Sequence, residues 1–298
     1  TDPKNGELDM LFLFDHVGID QEGSKWNTVP FEVGNLRASL AAQQEAVRDA
    51  GWASLFFCNH DQPRVVSRWG NDTDRESREL SAKAFGMLLH MHRGTPYIYE
   101  GEELGMTNAH FTTLEQYRDL EAVNAYRQRV EEAKCQSPES MMAALALIGR
   151  DNSRTPMQWD ASRYAGFTAP DAATEPWIGV NPNHVEINAA EEFDDPGSVY
   201  SFYKKLIAMR HNMPIIAVGD FSPMDAGNDD VIAFQRHLED TTIMVICNLS
   251  SKKATISESL RINDNKQQVL LSNYSTAHAF KSMHDGVLDP WEAITVQL

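Results

Sequence analysis

The sequence has few cysteines and no long apolar run. Its 298 residues include three cysteines, Cys58, Cys135 and Cys247, which lie far apart. An odd and sparse set of cysteines does not build a disulfide framework, and no C-x-x-C pair indicates a zinc or redox motif. No apolar stretch approaches the ~20 residues that a membrane-spanning helix needs. These absences predict reduced thiols, a cytoplasmic location and no membrane partner.

Positive charge is scarce as well. Lysine and arginine supply 26 residues against 43 aspartates and glutamates, which gives a formal net charge of −17. Such a chain repels phosphate backbones and anionic lipid surfaces, so we expect no nucleic-acid partner. A neutral small molecule is a more compatible binding partner for a chain with this net charge. No calcium loop of the D-x-D-x-D-G type occurs, so the sequence predicts no cofactor and identifies no metal ligand.

Short apolar runs alternate with helical patterns in the first hundred residues. The apolar runs cover residues 8–14, 54–58 and 94–99, and helical spacing connects them across 36–47 and 80–91. This alternation is typical of parallel βαβ units in an α/β fold. In barrels and doubly wound sheets, ligands lie at the carboxyl ends of the strands. Polar clusters follow all three runs, so we expect functional residues there.

The rest of the chain divides near residue 219. Residues 101–198 carry helical patterns and no clear strand, and an amphipathic helix pattern follows at 199–210. Beyond Gly219 short β-type runs take over, two of which meet at Glu239 and Asp240 as a predicted hairpin. We therefore predict an α/β domain over residues 1–218 and a small all-β sandwich domain over residues 219–298.

The polar cluster Asn59, His60, Asp61, Gln62, Pro63 and Arg64 follows the second apolar run. A polar turn is one interpretation, because Asn, Asp and Pro are common turn residues. So many polar groups at the end of a buried strand nevertheless favour an active site. An imidazole beside a carboxylate can donate to and accept from sugar hydroxyls, and an arginine can hold a carboxylate by a bidentate pair.

Five longer motifs carry a family resemblance. They are residues 59–68 (NHDQPRVVSR), 94–108 (GTPYIYEGEELGMTN), 117–119 (YRD), 150–160 (RDNSRTPMQWD) and 175–183 (EPWIGVNPN). In this order they resemble glycoside hydrolase family 13 of the α-amylase superfamily, in its oligo-1,6-glucosidase and trehalose-6-phosphate hydrolase branch. The resemblance implies the C-terminal half of a (β/α)8 TIM barrel, in which the three apolar runs match strands six to eight.

The same resemblance implies retaining hydrolysis of α-glucosidic bonds. One carboxylate attacks the anomeric carbon and a second carboxylic acid protonates the leaving oxygen. The family adds a third carboxylate that grips the sugar hydroxyls in the transition state, and Asp61 matches that position. His60 matches the neighbouring histidine that bonds the same sugar. Arg64 lies close behind and is expected to orient a carboxylate or a substrate hydroxyl.

Further positions match the family's substrate pocket. Glu121 and Arg150 are the matching residues, although an Arg–carboxylate pair that braces the long segment explains them as well. Three aromatic residues are candidates for a sugar-stacking wall, with core packing as the alternative: Trp159, Phe167 and Trp177.

No segment matches the family's nucleophile or acid motif. The resemblance places those two residues on barrel strands four and five, so we expect them upstream of Thr1. Three strands also cannot close a barrel, which leaves a sheet edge open. We therefore expect this chain to be inactive alone and to need the N-terminal half of the same barrel. Other strand-end carboxylates are poor substitutes for the nucleophile or the acid, because carboxylates at such positions more often make structural hydrogen bonds. These residues are Asp9, Asp15, Glu100 and Glu102.

The leading functional hypothesis is an α-glucosidase that acts on short oligosaccharides or disaccharides. A trehalose-6-phosphate hydrolase is the first alternative, and it needs a basic phosphate pocket to which Lys25 could contribute. An inactive relative that serves as an interaction subunit is another. Glucosyl transfer or sucrose isomerisation would differ mainly in how water is excluded. The sequence leaves the linkage preference open.

Overall fold

The structure is a computed structural model that describes residues 1–262 and 267–298. Its α-helices are Val33–Ala46, Val65–Arg68, Arg75–Met91, Leu120–Tyr126, Pro138–Ile148, Ala189–Phe193, Val199–Asn212, Pro214–Val218 and Thr276–Asp285. Shorter helical segments are Glu102–Leu104, Leu114–Gln116, Arg127–Glu132, Arg150–Ser153, Pro182–Val185 and Glu258–Leu260. Its strands are Leu11–Phe12, Gln21–Glu22, Ser24–Thr28, Ala53–Leu55, Thr95–Pro96, Asp220–Met224, Val231–Leu238, Thr241–Asn248, Ala254–Thr255, Gln268–Ser272, Val287–Leu288 and Ala293–Gln297.

A parallel three-stranded sheet forms the N-terminal part. Strand Ala53–Leu55 lies in the middle, between Leu11–Phe12 and Thr95–Pro96, and pairs with both in parallel. Helices Val33–Ala46 and Arg75–Met91 make the two crossovers, so the predicted βαβ arrangement is confirmed. The paired segments are shorter than the apolar runs. One reason is Pro96, which has no N–H to continue the ladder.

Helix Arg75–Met91 is the centre of the core. Asp74 caps its N-terminus by accepting a hydrogen bond from the Ser77 N–H at 2.9 Å. Every residue from Ser81 to Met91 is buried, so this part of the helix is enclosed on all sides. It packs against helix Val199–Asn212 and against the C-terminal antiparallel sheet. The parallel and antiparallel sheets thus share this helix.

The C-terminal part is an antiparallel five-stranded sheet. The strand order is Gln268–Ser272, Ala293–Gln297, Thr241–Asn248, Val231–Leu238 and Asp220–Met224. The predicted hairpin is confirmed, since Leu238 pairs with Thr241 and Glu239 takes a positive φ of 53° in the connection. Every neighbouring pair in this sheet is antiparallel. Its two eight-residue strands, Val231–Leu238 and Thr241–Asn248, are mostly buried.

The prediction of an all-β domain is wrong in one respect. Helix Thr276–Asp285 packs on the antiparallel sheet through Ala279 and Met283, beside the two-stranded pair Ala254–Thr255 and Val287–Leu288. A helix and a short ribbon therefore cover this face, instead of a second full sheet. The sequence carries a signal for this helix, because Ala279, Phe280 and Met283 recur at helical spacing between polar residues.

One hydrophobic cluster joins the two predicted domains. It contains Leu55 and Phe85 from the N-terminal part together with Phe234 and Val245 from the antiparallel sheet. The buried guanidinium of Arg236 adds hydrogen bonds to the Met91 and Ile216 carbonyls, at 2.7 and 2.6 Å. The boundary at residues 218 and 219 stays a prediction, and the two sides of it share a core. Within residues 1–262 and 267–298, no helix has the length and apolar character to cross a membrane.

We expect Phe85→Ala to lower the free energy of unfolding by about 3–5 kcal/mol, because it removes a fully buried ring at the centre of this cluster. The matched control is Phe167→Ala, whose ring is 54% exposed and whose loss should change stability by no more than about 0.5 kcal/mol. Urea unfolding followed by circular dichroism measures both. Equal effects of the two substitutions would contradict the assignment of the core.

Candidate active site

The loop after the middle parallel strand presents His60 and Asp61 to solvent. The Asn59 side-chain oxygen accepts a hydrogen bond from the Asp61 N–H at 2.7 Å, and the Gln62 N–H donates to the Asn59 carbonyl at 3.2 Å. This turn holds the backbone while the side chains of His60 and Asp61 stay 72% and 45% exposed. The His60 Nε2 and an Asp61 carboxylate oxygen lie 3.2 Å apart. A ligand in solvent can therefore contact the imidazole and the carboxylate together.

Aromatic rings surround this loop at the carboxyl ends of the three parallel strands. Phe12 and Tyr97, from the two outer strand ends, lie 4.8 Å apart between ring centres and are both more than 40% exposed. Together with Phe14, Phe56 and His60 they line an open hollow, which we call the strand-tip hollow. His60 thus faces a cleft that the neighbouring strand ends share, as expected for a binding site in a parallel sheet.

Two arginines clamp Asp61 from the segment that follows helix Pro138–Ile148. An Nη of Arg154 lies 2.9 Å from the Asp61 carboxylate, and an Nη of Arg150 lies 3.4 Å from the same oxygen. The Nε of Arg154 also donates to the His60 carbonyl at 2.8 Å. We call Arg150 and Arg154 the arginine clamp. Because both guanidinium groups contact the same carboxylate oxygen, this clamp fixes the orientation of Asp61.

Asp119 fixes the first arginine of the clamp. Its two carboxylate oxygens each accept a hydrogen bond from Arg150 at 2.7 Å, in a bidentate pair. Burial alone would raise the pKa of Asp119, but the bonds from Arg150 and from the Glu121 N–H outweigh it and lower the pKa. Behind it, buried Asp151 accepts hydrogen bonds from the N–H groups of Arg118 and Asp119 at 2.6 and 2.8 Å.

Glu121 belongs to the same network. Its carboxylate lies 3.1 Å from the Nε of Arg150 and 2.7 Å from the ammonium of Lys25. The structure therefore brings together Asp61, Glu121 and Arg150, and the Arg–carboxylate brace that the sequence left as an alternative is present. Lys25 is already paired, so it does not form a free basic site for a phosphate.

Arg64 does not face the hollow, which corrects its prediction as a substrate-binding residue. Its side chain is 1% exposed. One Nη donates to the Glu100 carbonyl at 2.5 Å and the other to the Ser153 carbonyl at 3.3 Å. Its backbone N–H donates to the Asn108 side chain at 2.9 Å. Arg64 thus joins the loop to the third strand end from inside the packing, where a sugar cannot reach it.

Sequence reasoning did not single out Arg154 or Asp119, although both lie in the quoted motifs. The motif at 117–119 contains the carboxylate and the motif at 150–160 contains the arginine. A local pattern does not show which charged residues of two motifs form a pair. The aromatic candidates Trp159, Phe167 and Trp177 are more than half exposed. Core packing is therefore wrong for these rings, and their role in sugar stacking stays a prediction.

Glu102 is buried behind the third strand end rather than presented to the hollow. One of its carboxylate oxygens accepts a hydrogen bond from the Tyr203 hydroxyl at 3.1 Å, and the other has no hydrogen-bond partner among the described residues. Burial raises its pKa from 4.5 to about 7. This environment agrees with a structural role for Glu102.

The chain belongs to the family of the alpha amylase catalytic domain, whose model matches residues 1–219. It is 42% identical over 294 residues to an oligo-1,6-glucosidase of Parageobacillus thermoglucosidasius, covering 98% of this chain and 51% of that protein. It is 40% identical over 302 residues to a trehalose-6-phosphate hydrolase of Bacillus subtilis, covering 100% and 52%.

Solved structures give the same relationship. The crystal structure of Bacillus licheniformis trehalose-6-phosphate hydrolase is similar with a TM-score of 0.88 and 38% identity, over 100% of this chain and 52% of that one. A single-residue mutant of the trehalulose synthase MutB has a TM-score of 0.89 and 36% identity over the same shares. The chain thus spans about half the length of the relatives that it matches.

We expect Glu102→Gln to flatten the pH dependence of stability. The folded state keeps the Glu102 proton between pH 4.5 and about 7 while the unfolded chain loses it. The free energy of unfolding therefore falls as pH rises through this window and stays lower above it. The free energy of unfolding of the variant, minus that of the unsubstituted chain, should therefore be on the order of 3 kcal/mol larger at about pH 8 than at about pH 4. Urea unfolding measures this gain, and a difference that does not vary with pH would contradict it.

Proposed function

We propose that this chain is part of a retaining α-glucosidase that releases glucose from short α-glucosidic oligosaccharides. The observation that carries the proposal is the exposed pair of Asp61 and His60, in which His60 lines the strand-tip hollow and the arginine clamp holds Asp61 beside it. Hydroxyl-rich sugars are recognised by such charged donors and acceptors beside aromatic rings. Relatives named as oligo-1,6-glucosidases and an alpha-glucosidase, at about 40% identity, support this substrate class.

In this proposal Asp61 stabilises the transition state. Its carboxylate accepts hydrogen bonds from sugar hydroxyls, and these bonds strengthen as positive charge develops on the ring. An interaction that is stronger in the transition state than in the ground state accelerates the reaction. The arginine clamp holds the Asp61 carboxylate in place before the sugar arrives. His60 supplies a further donor to the same sugar, and Arg150 and Glu121 extend the binding surface.

Two further carboxylates are needed for a retaining mechanism, about 5–5.5 Å apart. We propose that this chain is the C-terminal half of a (β/α)8 barrel, with its parallel strands as strands six to eight. The remaining strands would supply the nucleophile and the acid. The open three-stranded sheet, the exposed rings of Phe12, Phe14 and Tyr97, and the half-length match to relatives support this arrangement. The chain alone would then be inactive.

Trehalose-6-phosphate hydrolysis is the second candidate. The Bacillus subtilis relative and the Bacillus licheniformis structure carry that name at 40% and 38% identity. Against it, Lys25 is bonded to Glu121, and the chain carries a net charge of −17. A catalytically inactive interaction subunit is a weaker candidate, because such a subunit does not require an exposed carboxylate that two arginines hold in place. The cytoplasmic location stays a prediction.

We expect Asp61→Asn in the complete protein to lower kcat/KM for isomaltose at least ~100-fold, because it removes the charge that grips the transition state. The matched control is Asp285→Asn, an exposed aspartate on the C-terminal helix, which should leave the rate unchanged. Glucose release measures both rates. A substituted enzyme with nearly full activity would refute the role of Asp61.

We also expect the complete protein to prefer a neutral substrate. Its kcat/KM for isomaltose should exceed that for trehalose 6-phosphate at least ~10-fold, since no free lysine at position 25 offsets the phosphate charge. Initial rates on both substrates under identical conditions give this ratio. The reverse ratio would favour the second candidate, and binding without any hydrolysis would favour the inactive subunit.

A further inference from the structure

Three potential metal ligands meet in the C-terminal part, away from the strand-tip hollow. They are His278 on helix Thr276–Asp285, and Asp289 and Glu292 in the turn before strand Ala293–Gln297. One donor atom from each residue lies within 4.8 Å of the others. The His278 Nε2 is 2.9 Å from an Asp289 oxygen and 3.7 Å from a Glu292 oxygen.

The local structure holds these groups in place. The Tyr274 ring stacks on His278 with 4.7 Å between ring centres, and its hydroxyl donates to the Pro290 carbonyl at 3.0 Å. The Asp289 N–H donates to one Glu292 oxygen at 2.8 Å, which fixes that carboxylate in the turn. A ligand set that is held before a metal arrives loses little conformational entropy on binding.

One carboxylate oxygen in this cluster lacks a hydrogen-bond partner among the described residues. Glu292 is fully buried, and its Oε1 accepts no hydrogen bond within residues 1–262 and 267–298. A buried carboxylate without a compensating group is costly, so such an atom calls for a positive partner. Lys253 does not supply it, because its ammonium bonds the outer oxygen of Asp289 at 2.7 Å. The inner Asp289 oxygen and the Glu292 Oε1 therefore both point towards His278.

We propose that His278 Nε2, Asp289 Oδ2 and Glu292 Oε1 bind a divalent cation of the zinc class. A tetrahedral zinc ion with bonds of about 2.0–2.2 Å separates its ligand atoms by about 3.3–3.6 Å. The His278 Nε2 lies 2.9 Å from Asp289 Oδ2, just below that separation, and 3.7 Å from Glu292 Oε1, just above it. One imidazole and two carboxylates suit zinc better than calcium, which prefers six or more oxygens.

The partial exposure of His278 and Asp289, at 35% and 21%, gives solvent access for a fourth ligand from water. The ion would join the helix to the beginning of strand Ala293–Gln297 and neutralise the buried Glu292 charge. Three protein ligands and one water also match the coordination of open zinc sites. The competing account is an ion-pair network in which a protonated imidazole lies between the two carboxylates.

The test is a cobalt titration of the full chain, because Co²⁺ replaces zinc and reports tetrahedral coordination by intense visible absorption. We expect one Co²⁺ per chain with that absorption, displaced by added Zn²⁺. Glu292→Gln keeps the shape and the backbone hydrogen bond but removes the charge, and His278→Gln removes the imidazole. Each should raise the Kd at least ~100-fold, since even outer-shell changes cost 10–100-fold.

The matched control is His284→Gln. His284 lies on the same helix, is 61% exposed and pairs with the adjacent Asp285. This variant should keep the unsubstituted Kd and absorption. The proposal is overturned if the unsubstituted chain shows no tetrahedral absorption, or if binding survives in His278→Gln. Because the titration uses the unsubstituted chain first, a variant that fails to fold does not prevent a decision.

Discussion

The candidate site depends on the ion pairs between the arginine clamp and its carboxylates. Asp119 holds Arg150 by two hydrogen bonds, and Arg154 bonds both the Asp61 carboxylate and the His60 carbonyl. These contacts tie the long segment after the third strand to the loop after the middle strand. Although burial alone would raise the pKa of Asp119, the donors of Arg150 lower it, and a paired guanidinium avoids the cost of isolated burial. Without this network the exposed Asp61 would have no fixed orientation towards a sugar.

Much of this architecture could be predicted from local patterns. Continuous apolar runs predict the parallel strands, period-3.6 spacing predicts their crossover helices, and two β-type runs predict the hairpin at Glu239. The rule that ligands lie at strand ends directed attention to His60 and Asp61, which the structure presents to solvent. Both inferences succeed for the same reason, because backbone geometry sets the repeat and the direction in which each strand ends.

Other features depend on contacts between distant residues and escape local patterns. Arg154 and Asp61 are separated by 93 positions, and Arg150 and Asp119 by 31. Arg64 was misassigned because an arginine that bonds backbone carbonyls looks the same in sequence as one that binds substrate. Helix Thr276–Asp285 carries Ala279, Phe280 and Met283 at helical spacing, but its packing on the sheet brings together residues that are distant in sequence. Packing decides these cases, and sequence spacing does not encode it.

The central claim is that Asp61 and His60 grip a glucose unit at the strand-tip hollow. A crystal structure of the complete protein with bound glucose tests it most directly. The account predicts sugar hydroxyls within about 3 Å of the Asp61 carboxylate and the His60 imidazole, with Arg150 still bonded to Asp119. Glucose bound elsewhere, or an Asp61 that contacts only the arginine clamp while the sugar lies apart, would contradict it.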